Sequence, residues 1–146
     1  MLHDFNAAYL NECAGIYHSM FTSGEWNFNW LTIENTKRYF NDLCGAPRFK
    51  GFIYLVDNKL TGACFGDVSD YFSTAQYTIK EIFIDQHVQG KGLGSAFLAD
   101  IENNLRDNGI NNIILSTSRG IKAFDFYKKN GFIENPDTVF LVKFLK

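Results

Sequence analysis

The chain has 146 residues, 46% of them hydrophobic, enough for one domain with a real core and too few to expect two. A net charge of -2 with scattered basic residues excludes the electrostatic footprint of a nucleic-acid binder, and no apolar run approaches the ~20 residues that span a bilayer. Cys13, Cys44 and Cys64 are odd in number and lack metal-ligand or redox spacing, and no charged segment followed by an apolar one opens the chain, so a reducing cytoplasm and no metal are expected. The 15 Phe and 7 Tyr point to an aromatic-rich core.

In chain order, Ala7, Leu10, Ala14, Tyr17, Met20 and Phe21 recur at three or four residues and predict a helix over 6–21, with Asp4 as its cap. Residues 22–30 carry Trp26 and Trp30 between turn formers and read as a loop. Thr32 caps a second helix that Gly45-Ala46-Pro47 stops. Residues 51–56 and 60–68 form a hairpin around Asp57-Asn58-Lys59, with Gly62 and Gly66 marking bends or close packing. Residues 69–73 read as a loop with Tyr71 and Phe72 at its tip, and 74–85 as the longest strand. Leu93, Phe97, Ile101 and Leu105 then define a helix over 92–108, ended by Gly109. A buried parallel strand over 112–116, a short helix over 121–129 and a last strand over 138–144 complete the reading. The fold class is α/β, a mixed sheet in which the strand ending at Asp85 and the one ending near Ser116 lie side by side across a right-handed helical crossover.

The most informative stretch joins that long strand to its helix. Gly90, Gly92 and Gly94 let main-chain N–H groups approach a ligand where extended chain turns helical, and the helix N-terminus adds free donors and partial positive charge. With Lys91 nearby, this is an anion cradle suited to a pyrophosphate. The dinucleotide fingerprint G-x-G-x-x-G fails because Ser95 stands at its last position, and the phosphate loop fails because Gly92 follows Lys91.

Gln89, Gly92 and Gly94 do fill Q/R-x-x-G-x-G/A, which resembles the acetyl-coenzyme A loop of the GNAT N-acetyltransferase superfamily. Residues 123–132 resemble the A-x-x-F-Y-x-x-x-G-F signature that closes the core of that family. The resemblance implies one acetyltransferase domain over 1–146, with a helical acceptor side in 1–50 and a coenzyme-binding core in 51–146. It implies a mostly antiparallel central sheet flanked by helices, with a splayed parallel strand pair that takes the pantetheine arm as a surrogate strand. Carried over, Phe83 and Ile84 offer main-chain bonds to pantetheine, Val88 borders it, and Gln89, Gly90, Lys91, Gly92, Leu93, Gly94 and Ser95 hold the pyrophosphate. Ala123 and Tyr127 belong to the same coenzyme site. Gly120 stands where the family often has asparagine, so that side-chain contact to pantetheine is expected to be absent or replaced by Ser118 or Arg119, and the first strand of the family is expected to be very short or missing.

Acetyl transfer to an amine needs a base, an oxyanion donor and an acid. Tyr127 matches the tyrosine that the family places near the coenzyme sulfur, where a phenol delivers a proton to the thiolate; its alternative is a core tyrosine. Glu81 lies mid-strand with Ile79 and Phe83 expected on its face and is the candidate base, its alternative being a salt bridge to a neighbouring strand. The Ile84 amide is the oxyanion candidate implied by the resemblance; His87 falls in the turn beside the pyrophosphate cradle and His18 on a helix with no partner in view, so neither is taken as catalytic. Trp26, Trp30 and Tyr71 are expected to line an acceptor pocket, where Glu25, Asp67 or Asp70 would suit a cationic amine; the alternative for both tryptophans is a packing anchor for the helix pair. The arrangement of Trp26 and Trp30 before the Thr32 helix is similar to the subset near aminoglycoside N-acetyltransferases. The expected partners are acetyl-CoA, with no metal, and a small amine, with no nucleic acid and no membrane; a homodimer is left open. The alternatives are a protein or peptide N-acetyltransferase and a non-catalytic acyl-CoA sensor.

Overall fold

Five strands form one sheet in the order β1-β2-β3-β4-β5, with β1 at Leu2–Asp4, β2 at Phe49–Val56, β3 at Lys59–Tyr71, β4 at Thr74–Ile84 and β5 at Ile110–Ile114. The first four pair antiparallel, and β4 with β5 is the parallel pair. This is a computed structural model that describes residues 1–24 and 26–146. The chain divides into two units, Met1–Leu115 and Ser116–Lys146, taken in turn.

Turn chemistry sets the first unit. Asp57 (φ 52) and Asn58 (φ 60) both take left-handed backbone, the two-residue turn whose twist suits a hairpin, and β2 and β3 pair directly across it. β1 is three residues long and lies antiparallel on β2, so the first strand is very short but present. Asp4 belongs to β1; Asn6 instead caps a 3-10 turn by accepting from Ala8 N, and α1 follows at Leu10–Phe21. α2, Ile33–Cys44, starts as the sequence predicts, with the Thr32 side chain accepting from Asn35 N at 3.0 Å. α3, Leu93–Asp107, follows the glycine turn.

The sheet separates two packed faces. On one, α1 and α2 contribute Leu10, Cys13, Ala14 and Phe40 to a core with Ile53, Phe65 and Phe83. On the other, α3 buries Phe97, Leu98, Ile101 and Leu105, and Phe97 meets Tyr54 with ring centroids 4.9 Å apart. Each fully buried Leu, Ile or Phe among these contributes about 1.5–3 kcal/mol.

Two boundaries differ from the sequence reading. β3 continues to Tyr71 and β4 starts at Thr74, so the expected 69–73 loop shrinks to a two-residue turn with Phe72 at φ 56. Residues 69–71 are exposed; the ladder outruns the hydrophobic core, which is why their polarity read as a loop. β5 begins at Ile110 rather than 112, because Gly109 (φ 76) ends α3 and releases extended chain at once.

The second unit holds α4, Lys122–Lys129. Its end explains the F-Y-x-x-x-G-F spacing: Gly131 (φ 91) donates to Lys128 O, Phe132 donates to Tyr127 O at 3.0 Å, and the Phe132 ring lies 5.5 Å from that of Tyr127. This is a Schellman stop with its hydrophobic contact. The expected strand over 138–144 does not form; Val139, Phe140, Leu141 and Val142 are exposed. Alternation in a sequence records a capacity to pair, and this unit holds no other strand to satisfy it.

Candidate active site

β4 outruns its parallel neighbour. Pairing with β5 ends at Thr78 opposite Ile114, while pairing with β3 continues to Ile84 opposite Gly62, so among the described strands of this unit residues 79–84 have a partner on one side only. Which backbone groups face the open side follows from the ladder. Asp85 N donates to Thr61 O at 2.7 Å, so by alternation Phe83 and Ala63 exchange hydrogen bonds while Ile84 and Gly62 do not. The N–H and C=O of Ile84, and those of Ile82, therefore turn outward. Gln89 Nε2 donates to the Ile84 carbonyl at 2.9 Å and ties the glycine turn to the strand end. Phe83, expected to offer main-chain bonds, has its N–H and C=O directed at β3, and its ring packs against Phe40 and Phe65.

The turn itself is built for backbone donors. After a 3-10 turn at Gln86–Val88, Gly90 (φ 83) and Gly92 (φ 76) are left-handed, and Gly92 is the N-cap of α3 with no side-chain bond to the helix start. No acidic residue occupies the first turn, so Leu93, Gly94 and Ser95 carry N–H groups that no side chain caps. A Cβ added at Gly90 or Gly92 would meet nothing within 4 Å. The room and the donors fit a phosphate, and Lys91 stands exposed beside them. Val88 is half-buried and donates its N–H to Asp85 O, whose carboxylate accepts from His87 N.

Glu81 is set by a bulge. Phe65 lies opposite Glu81 and Gly66 opposite Ile79, which leaves Lys80 as an extra residue in β4. The extra residue breaks the alternation: Ile79 faces the Tyr77 side of the sheet, whereas Glu81 and Phe83 face α1 and α2, so the expectation that all three share a face is corrected. Gly66 permits this crossing, because a Cβ there would lie 2.4 Å from Thr78 O and 2.5 Å from the Tyr77 ring.

On that face two phenols converge on one carboxylate oxygen. Tyr39 Oη donates to Glu81 Oε1 at 2.9 Å and Tyr17 Oη to the same atom at 3.2 Å. Burial raises the Glu81 pKa above the usual carboxylate range, and the two phenol bonds oppose it. Burial, then the Glu81 charge, raises both phenols, so they stay protonated donors. The salt bridges Lys37–Glu34, Arg48–Asp70 and Arg119–Glu134 do not involve Glu81. Sequence reasoning missed Tyr17 and Tyr39 as site residues: Tyr17 read as one of several core positions of α1, and nothing local ties Tyr39 to a strand 42 residues on.

Rings connect the first tryptophan loop to this cluster. Trp30 stacks on Phe28 at 5.3 Å, Phe28 on Phe21 at 6.0 Å, Trp26 meets Phe21 at 5.1 Å, and Phe21 meets Tyr17 at 4.4 Å. His18 Nε2 lies 3.1 Å from Leu31 O and holds the loop to α1. Tyr71 is not brought there: it pairs with Thr74, seven residues before Glu81 along β4, roughly 20 Å at ~3.3 Å per residue. Asp70 is engaged by Arg48 at 3.2 Å, Asp67 faces Thr78, and Glu25 lies outside the described residues.

In the second unit, Ala123 and Tyr127 are half-buried on α4, with the Tyr127 ring 5.5 Å from Phe126. Gly120 (φ 75) takes left-handed backbone, Ser118 is exposed, and Arg119 pairs with Glu134. Of the thiols, Cys13 and Cys64 are pushed up to about 12 by burial and stay protonated. Among the described residues no group of three or more His, Cys, Asp or Glu could hold a metal ion, and no helix is long and apolar enough to cross a membrane.

An acetyltransferase (GNAT) domain matches residues 47–134, more than half of the chain, and the protein belongs to that family of acetyltransferases. No curated protein matches. Among solved structures, a possible acetyltransferase from Clostridium difficile 630 superposes with a TM-score of 0.79 at 15% identity, covering 100% of this chain and 98% of that one. The aminoglycoside acetyltransferase meta-AAC0020, from an uncultured soil metagenomic sample and in complex with sisomicin, gives 0.73 at 15%, covering 100% and 96%. A transcriptional regulator from Bacillus halodurans C-125 gives 0.75 at 14%, covering 99% of each chain. At these identities the likeness is one of fold.

Proposed function

We propose that the protein is an acetyl-CoA-dependent N-acetyltransferase that acts on a primary amine of a small molecule by direct attack in a ternary complex. The observation that carries the reading is the run of β4 over 79–84, which has an open edge and leads straight into an uncapped glycine turn. Ile82 and Ile84 would pair with the pantetheine arm, and Gln89 to Ser95 would hold the pyrophosphate through backbone N–H groups, with Lys91 adding charge. Bound there, acetyl-CoA supplies an activated acyl group. The outward N–H of Ile84 offers a hydrogen bond to the carbonyl oxygen that gains charge. Glu81 accepts the proton of the ammonium, directly or through a water, so that the amine attacks neutral. Tyr127 is assigned protonation of the thiolate on the strength of its motif alone, and Ser118 and Ala123 keep coenzyme contacts on the same ground. Protonated, buried Cys13 and Cys64 support transfer without an acyl-enzyme thioester.

A small cationic acceptor is supported by the carboxylate, by the aromatic series from Tyr17 to Trp26 and Trp30, and by the aminoglycoside enzyme among the structural neighbours. Tyr71 belongs to the acceptor side only if the substrate is long enough to reach the hairpin end, which would favour the protein or peptide reading. The regulator of similar fold keeps a non-catalytic acyl-CoA sensor as the reading from another class. The free cysteines Cys13, Cys44 and Cys64 support a cytoplasmic site of action, and a homodimer is compatible with the reading. Calorimetric titration with acetyl-CoA, followed by thiol release across sisomicin, spermidine and a peptide with a free N-terminus, tests this reading. Saturable binding and release with a small amine are expected. A well-folded protein that binds no acetyl-CoA sinks it, binding without release selects the sensor, and release with the peptide alone selects the protein-directed enzyme.

A further inference from the structure

We propose that Tyr17 and Tyr39 are positioning residues for Glu81, a pair of phenols that fix its carboxylate by Oε1 and leave Oε2 to take the proton of the acceptor ammonium. The inference rests on the acetyl-transfer reading above.

The two donors come from different helices, 64 and 42 residues from their acceptor, and meet at one atom. Tyr17 cannot swing away: its ring is held by Phe21 at 4.4 Å, Phe40 at 5.1 Å and Phe83 at 5.4 Å. Tyr39 lies against Phe40 at 5.9 Å, so one core side chain braces both phenols. With Oε1 bound twice, the carboxylate plane is fixed and its second oxygen has a defined direction. In the step itself one N–H bond of the ammonium breaks and one O–H bond forms at Oε2, the amine keeping its electron pair.

The chemistry of the partners matters as much as their number. An arginine on Glu81 would hold it as a carboxylate of low basicity, whereas neutral phenols stabilise the anion enough to offset part of its burial and still leave it able to accept a proton. The titratable groups around it are Tyr17 from α1, Tyr39 from α2 and, through the sheet, Cys64 of β3, which stays neutral; among the described residues no cation pairs with it.

The test uses the full chain with Tyr17→Phe, Tyr39→Phe and the double variant, which keep every ring and remove only hydroxyls. In carbon-13 glutamate-labelled protein, the carboxyl resonance lost in Glu81→Gln is followed through a pH titration. Its midpoint should rise in each single variant and further in the double, because the charged form loses a donor each time. With the fastest amine among sisomicin, spermidine and the peptide, kcat should fall about tenfold, a part of the ~10²–10⁴ that a positioned base contributes. The acid limb of the pH profile should move to higher pH and the KM for acetyl-CoA should stay unchanged. An unmoved midpoint overturns the clamp. A moved midpoint with kcat and the acid limb unchanged overturns the positioning role and leaves a structural bond. Absence of acetyl-CoA binding in the wild type overturns the functional reading separately, and the proposal with it.

Discussion

The sides of β4 proposed to take the coenzyme and the acceptor are made of different material. The coenzyme side, residues 82–95, is almost all backbone: outward groups of Ile82 and Ile84, two left-handed glycines and an uncapped helix start. The acceptor side is side chains, with a carboxylate from β4 and phenols from α1 and α2. A backbone site tolerates most substitutions that keep the main chain in its course, whereas a side-chain site fails when one functional group goes. The contrast predicts that glycine positions will be the sensitive ones on the first side and hydroxyls and carboxylates on the second.

The largest effect should come from Gly92→Val. A β-branched residue at φ 76 costs about 1–2 kcal/mol in backbone strain alone, and its side chain projects into the space the anion needs. Calorimetry should register no acetyl-CoA binding while circular dichroism still reports a folded sheet. Unchanged affinity would remove the turn from the coenzyme site.

Glu81→Gln should come next and break the other side. Turnover should drop about a hundredfold or more, with acetyl-CoA affinity unaltered. Stability should move the opposite way. Burial raises the Glu81 pKa in the folded protein, so the folded chain binds more proton than the unfolded one between the ordinary carboxylate range and that raised value, and wild-type stability falls as pH rises through this window. Glutamine carries no charge and can still accept both phenol bonds. The variant should therefore melt higher than wild type at pH 7 and match it near pH 4. A lower melting temperature at pH 7 would mean that the ionised carboxylate stabilises the fold.

The same contrast decides what the sequence made readable. The coenzyme side could be read because its determinants are consecutive: Gln89, Gly92 and Gly94 act through the backbone they sit in, and the F-Y-x-x-x-G-F run is a helix stop whose glycine and paired rings are local. The Thr32 cap and the Asp57-Asn58 turn were legible for that reason too. Glu81 stands out as a carboxylate in a strand, but the departure of Ile79 from its face does not, because a one-residue bulge at Lys80 leaves no mark in Thr78-Ile79-Lys80-Glu81 and is visible only in the pairing with Phe65 and Gly66. Tyr17 and Tyr39 needed the packing of two helices before they became a site. The strand expected over 138–144 shows the converse: its alternation is local, but a strand exists only where a ladder partner does.

The smallest effect tests whether the acceptor side depends on helix position as well as on hydroxyls. Thr32→Ala removes the side-chain bond to Asn35 N at the start of α2, which should cost about 1 kcal/mol of stability. Tyr39 lies in the second turn, beyond the residues that fray first, and the bond from Thr36 Oγ1 to Thr32 O at 2.9 Å does not use the lost hydroxyl. The Glu81 titration midpoint should therefore stay at its wild-type value while the melting temperature falls. A midpoint that rises with the loss of the cap would mean that the phenol of Tyr39 reaches Glu81 only when the first turn of α2 is pinned, and the acceptor side would then depend on helix capping as closely as the coenzyme side depends on its glycines.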